Sequence, residues 1–109
     1  MALTRSFKDT VKARVERDPE FRNALLTEAI EQLLAGEVNV GKAVLRDFIN
    51  ATIGFERLAA ETGTPSKSLM RMLGPDGNPT ASNLFGVISK VQQVSGIQLN
   101  VAVEMLSSA

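Results

Sequence analysis

Apolar residues recur at helical spacing through the first half of the chain. From Ser6 to Arg17, Phe7, Val11 and Val15 stand four apart with charged residues between them, the signature of an amphipathic helix. Asp18-Pro19 follows, a capping residue with proline at the first helical position. Phe21, Leu25, Ala29 and Leu33 then form one stripe, widened by Leu26, Ile30 and Leu34, and Gly36 is placed to end that helix. A third helix is predicted from Val40 to Thr52, burying Val44, Leu45, Phe48 and Ile49, with Gly54 marking its end. These stripes read as core packing rather than as membrane-surface faces, because their polar sides carry mixed charge without a basic excess.

The second half changes character. Short helical segments are separated by Gly63 and then by Gly74-Pro75-Asp76-Gly77-Asn78-Pro79, a cluster that no regular element survives. Thr80 or Ser82 is placed to cap a helix that carries Leu84, Val87, Ile88 and Val91 and ends near Ser95-Gly96. Ile97, Leu99, Val101 and Val103 alternate with Gln98, Asn100 and Ala102, which predicts a strand. The expected fold is therefore mainly α: a helical bundle with one short C-terminal β-strand. It is read as a single domain over 1–109, with N-terminal helices in 1–54, a central unit in 55–96 and a strand with tail in 97–109.

Composition narrows the chemistry. Cysteine, histidine, tryptophan and tyrosine are absent from the 109 residues. Thiol catalysis, cysteine-based zinc sites and the commonest proton shuttle go with them. Asp and Glu are scattered, no carboxylate pair is backed by a second catalytic group, and the stretch from Gly74 to Asn78 lacks the Lys and Ser/Thr of a phosphate-binding loop. Glu16 to Glu20 reads as a solvated helix junction rather than a metal site. The expectation is a cytoplasmic non-enzyme with no cofactor, since no apolar run reaches membrane-spanning length and the N-terminus has no signal-peptide core. Twelve basic and twelve acidic residues cancel, so no global positive field advertises a nucleic acid.

The informative stretch runs from Phe55 to Leu73. Ala59 is small enough to let two helices cross closely, Gly63 tolerates the positive φ of a sharp turn, and Leu69 follows six residues on as a buried position. This is the spacing of a DNA-binding helix-turn-helix. Thr62 and Thr64 stand where such motifs usually bury aliphatic side chains, and Thr64 or Ser66 is placed to cap the second helix. With Leu69, Met72 and Leu73 turned inward, Ser66, Lys67, Met70 and Arg71 face outward and Ser68 sits at the edge. Lys67 and Arg71, four apart, share a face that can reach guanine edges or phosphates. Taken alone the pair would be an ordinary solvated helix face. The helix-turn-helix frame turns it into a candidate for double-stranded DNA. Ser66, Ser68 and Thr64 add hydrogen-bonding groups, and Thr80, Ser82 and Asn83 open the next helix, where free N–H groups suit a phosphate. Arg57 and Lys42 are weaker candidates for backbone contact.

The pieces Leu58-Ala59, Gly63, Ser68-Leu69-Met70-Arg71-Met72-Leu73, Gly77-Asn78-Pro79 and Gly96-Ile97-Gln98-Leu99 resemble the helix-turn-helix antitoxins of the addiction-module antidote family, the HigA-like transcriptional regulators. Asp18-Pro19-Glu20-Phe21 and Leu45-Arg46-Asp47 fit that family more loosely. The resemblance implies an autorepressing antitoxin that pairs with a small ribonuclease-like toxin of the RelE/HigB/ParE type. The alternatives are a stand-alone phage-type repressor and a protein-interaction module. Residues 39–109 hold six basic and five acidic groups, too little excess for one copy to bind DNA tightly, which favours a homodimer. The strand supplies a means, because it lacks a partner within the chain. Ile97, Leu99, Val101 and Val103 are thus expected at an interface with a second copy, or else added to the toxin's sheet.

Overall fold

The computed structural model of the protein describes residues 2–107, with side chains from Phe7 onward. Six helices follow one another among these residues: α1 (Ala2–Arg17), α2 (Pro19–Leu34), α3 (Val38–Ala51), α4 (Phe55–Thr62), α5 (Ser66–Met72) and α6 (Ala81–Ser95). The mainly helical expectation holds. None of these helices is long and apolar enough to cross a membrane.

The first junction is a single residue, Asp18. Its Oδ1 accepts from the backbone N–H of Phe21 at 3.1 Å, closing the first turn of α2 around Pro19, as the sequence predicts. Its Oδ2 accepts from Arg14 Nε at 3.0 Å, and the Arg14 guanidinium lies over the Phe21 ring, 4.7 Å from its centroid. The Phe21 N–H and then the Arg14 guanidinium hold the Asp18 carboxyl below the usual carboxylate range. A carboxyl with a depressed folded-state pKa stabilises above its unfolded value and loses that contribution as pH falls through the folded one. Asp18→Ala is therefore expected to lower the melting temperature at neutral pH. Its deficit relative to wild type should shrink below roughly pH 4. Thermal melts of both proteins across that range check this, and a deficit independent of pH would contradict the charge-based cap.

One buried cluster ties the helices from α2 to α6 together. Leu26 and Ala29 from α2 meet Leu45, Phe48 and Ile49 from α3. Phe55 and Leu58 of α4, Leu69 and Leu73 around α5, and Val87, Ile88 and Val91 of α6 complete it. The predicted stripes of α2, α3 and α6 thus supply the core. Helix α1 contributes less: Val15 is buried, whereas Phe7, predicted to share its apolar stripe, is 61% exposed.

The predicted C-terminal strand is not formed among the described residues. Gly96, at φ +69°, ends α6 and reverses the chain, and Ile97 N–H donates to Gln92 O at 3.1 Å. Leu99 N–H then donates to the Gln92 side-chain Oε1 at 2.8 Å. Ile97 and Leu99 pack against the chain's own core while Gln98 and Asn100 face out. The period-two alternation is therefore real, but a strand requires a neighbouring backbone, and here a glutamine side chain stands in for only one rung. Beyond Leu99 the inward turn stops: Val101 and Val103 are 86% and 91% exposed. Of the expected interface residues, Ile97 and Leu99 are committed inward and Val101 and Val103 are free. The last two positions of the segment 97–109 lie outside the described residues.

Candidate nucleic-acid interface

Helices α4 and α5 are joined by only three residues, Gly63-Thr64-Pro65. Gly63 sits at φ +75° and its N–H donates to Ala59 O at 2.9 Å, so the turn uses the left-handed conformation that glycine adopts without strain. Thr62 Oγ1 donates back to Leu58 O at 2.9 Å and accepts from Thr64 N–H at 3.2 Å. The Thr62 hydroxyl thus satisfies the turn's own backbone, including the Thr64 N–H, in place of the aliphatic packing usual there. Neither Thr64 nor Ser66 caps α5. Pro65 holds that position with no side-chain bond, because its fixed φ already sets the helical entry.

On α5, Leu69 is buried and Lys67, Met70 and Arg71 are exposed, while Ser66, Ser68 and Met72 are half-buried. Ser66 is not a free hydroxyl: its Oγ donates to Glu56 Oε1 on α4 at 3.1 Å. Thr80 Oγ1 accepts from Asn83 N–H at 3.1 Å, which makes Thr80 rather than Ser82 the cap of α6. Ser82 and Asn83 stand exposed on its first turn.

The predicted residues do not all converge. Thr64, Ser82 and Asn83 line one concavity of about 360 Å³ between α4 and α6, with Thr62, Met72 and Lys90. Met70 lines a different crevice with Phe7, Lys8, Arg46 and Asp47. There burial pushes the Asp47 carboxyl above its usual range, against the opposing pull of Arg46 and Lys8. Lys90 went unnoticed in the sequence. The available signal was its place eight residues after Ser82 and four after Gly86, on one face of α6.

Lys42 is the clearest correction. Expected as a candidate for contact with a nucleic-acid backbone, it is 2% exposed. Its Nζ donates to Gly77 O at 2.6 Å and Gly74 O at 3.0 Å. One turn on, Arg46 Nη1 donates to Leu73 O at 2.7 Å. A helix leaves its last carbonyls without intrahelical partners and with partial negative charge. Two α3 cations thus take up carbonyls at the end of α5 and in the following loop. The geometry holds the C-terminal end of α5 to α3 and leaves Lys67 and Arg71 on the open side. A sequence signal existed: Lys42 lies in register with Leu45 and Ile49 on the apolar stripe of α3, a position that calls for an internal partner. Arg57, the other weaker candidate, is exposed on α4.

Among the described residues no cluster of three or more acidic side chains could hold a metal ion. No known family model matches the chain, and no curated protein or solved structure is significantly similar to it.

Proposed function

We propose that the protein is a sequence-specific DNA-binding transcriptional regulator in which α4 and α5 act as a helix-turn-helix and α5 enters the major groove. The observation that carries this reading is the division of α5. Leu69 and the following Leu73 are sealed in the core and the far end is fastened by Lys42 and Arg46, while Lys67 and Arg71 stand exposed four residues apart. A recognition helix needs this combination of a rigid seat and projecting polar side chains, and α5 offers Lys67 near its start and Arg71 in its last turn. Arg57 on α4 and the first turn of α6, with Ser82 and Asn83, are suited to phosphates on either side.

The protein then works in the cytoplasm as a homodimer, because a chain of zero net charge needs two copies to accumulate enough phosphate contacts. Val101 and Val103, with Met105 at 88% and Leu106 at 90% exposure, offer an apolar extended segment for the pairing. The resemblance to addiction-module antidotes supports a finer reading, an autorepressor partnered by a small toxin of the RelE/HigB/ParE type. A stand-alone repressor would use the same surface.

Mobility-shift titration of duplex DNA from upstream of the protein's own gene tests the proposal. Wild type is expected to retard that duplex with two chains per site and to leave an unrelated duplex free at the same salt. Lys67→Ala and Arg71→Ala should each weaken binding roughly tenfold to a hundredfold, for about 1–3 kcal/mol per base contact, with unchanged melting temperatures. Unaltered affinity in both variants would remove α5 from the groove.

A further inference from the structure

A carboxylate from α4 meets the leading end of α5, the helix proposed for the groove. Glu56, exposed on the first turn of α4, accepts the Ser66 hydroxyl at 3.1 Å across the turn. The polarity of that bond is fixed: a carboxylate accepts and does not donate, so the serine proton points at Glu56. What Ser66 then offers outward is lone pairs alone, and the carboxylate has further lone pairs of its own. Among the described residues Glu56 forms no ion pair. The ion pair formed among the described residues, Arg14–Asp18, belongs to the α1–α2 junction. The leading end of α5 therefore carries an acceptor-only, negatively charged pair on the same short helix that exposes Lys67 near its start and Arg71 in its last turn.

Such a pair is a poor neighbour for a phosphate, which is itself anionic and accepts only. It is equally poor opposite guanine, whose major-groove edge shows the acceptors N7 and O6, or opposite thymine O4. It complements an exocyclic amino group, N4 of cytosine or N6 of adenine. Resting on the DNA-binding reading above, we infer that Glu56 and Ser66 form a specificity determinant that selects a base edge presenting an amino donor. The pair achieves this largely by rejecting the other edges. Repulsion of this kind weakens binding everywhere except at the matching base, which is how a site gains discrimination without gaining affinity. Lys67 and Arg71 supply attraction, and the Glu56–Ser66 pair supplies choice.

The test is selection from a random-sequence duplex library by the full-length protein, with sequencing of the bound pool. Wild type should enrich cytosine or adenine at one position of each half-site, and the pool itself distinguishes the two bases. Glu56→Gln replaces one acceptor oxygen by a donor of the same shape and removes the charge. Enrichment at that position should fall at least fivefold, with guanine and thymine now admitted, while affinity for an unrelated duplex rises. Ser66→Ala should relax the same position and no other, and Ser66→Thr, which keeps the hydroxyl, should restore it. A merely structural bond would change melting temperature or affinity without altering base preference. Identical base profiles for wild type and Glu56→Gln would overturn the inference while leaving the DNA-binding reading intact. Failure of wild type to enrich any sequence would overturn both.

Discussion

Replacing Lys42 with methionine is expected to destabilise the protein by about 3 kcal/mol, lowering its melting temperature by roughly 10–20 °C. Methionine keeps the length and apolar packing of the lysine stem, so the substitution removes little besides the ammonium group. That group is buried and bonds Gly77 O at 2.6 Å and Gly74 O at 3.0 Å. Without it, two half-buried carbonyls beside the end of α5 lose their donor, and unmet acceptors cost more than the bonds contributed. The loss should reach function as well. With the loop released, Arg46–Leu73 is the side-chain bond from α3 that still holds that end of α5, and Lys67 and Arg71 are held less firmly in one orientation. DNA affinity of Lys42→Met is thus expected to fall even at temperatures where the variant is fully folded. Thermal unfolding followed by circular dichroism, with mobility shifts at low temperature, measures both effects. A melting temperature equal to wild type would mean that the loop carbonyls are served by solvent.

Gly77→Ala should cost about as much, for a steric reason. A Cβ at this position would lie 2.1 Å from Arg71 O and 2.5 Å from Met72 O. Both obstacles are backbone atoms of α5, so no side-chain rotation relieves them and the loop must withdraw. Overpacking of this kind typically costs about 1–3 kcal/mol and more where backbone has to move. Here it would also draw Gly77 O away from Lys42 Nζ. The two substitutions therefore damage one structure, and Lys42→Met combined with Gly77→Ala is expected to destabilise by clearly less than the sum of the single effects. Gly86→Ala is the matched control. Its added methyl would meet nothing within 4 Å on an exposed turn of α6, and alanine should stabilise that helix by about 0.5–1 kcal/mol. Equal melting temperatures for Gly77→Ala and Gly86→Ala would show that the close approach to α5 is not maintained in solution.

Local chemistry was legible in the sequence wherever a residue acts on its near neighbours. The Asp18-Pro19 start of α2, the stripes of α2, α3 and α6, the turn at Gly63 and the end of α6 at Gly96 all follow from helical periodicity and from backbone preferences expressed within a turn or two. The inward or outward facing of Leu69, Lys67 and Arg71 follows from the same periodicity, so most of the candidate face is set by the sequence of α5 itself.

Tertiary structure alone decided which polar groups were already spoken for. The register of Lys42 with Leu45 and Ile49 hinted that it needs an internal partner, but charge and residue type do not reveal which carbonyls, 27 to 35 positions away, Lys42 and Arg46 would meet. Packing α3 against the end of α5 converts this pair into anchors and leaves Lys67 and Arg71 open. The Glu56–Ser66 bond, ten residues long in sequence, became visible only when α4 and α5 crossed. The segment after Gly96 shows the converse limit. Its alternation of apolar and polar residues predicted a strand, and the alternation does turn Ile97 and Leu99 inward. A strand, however, is a property of two backbones. Among the described residues of one chain the second backbone is missing, so Gln92 ties down Leu99 while Val101 and Val103 stay exposed. Periodicity in a sequence specifies which side of a segment is apolar, and only the surrounding structure determines what that side meets.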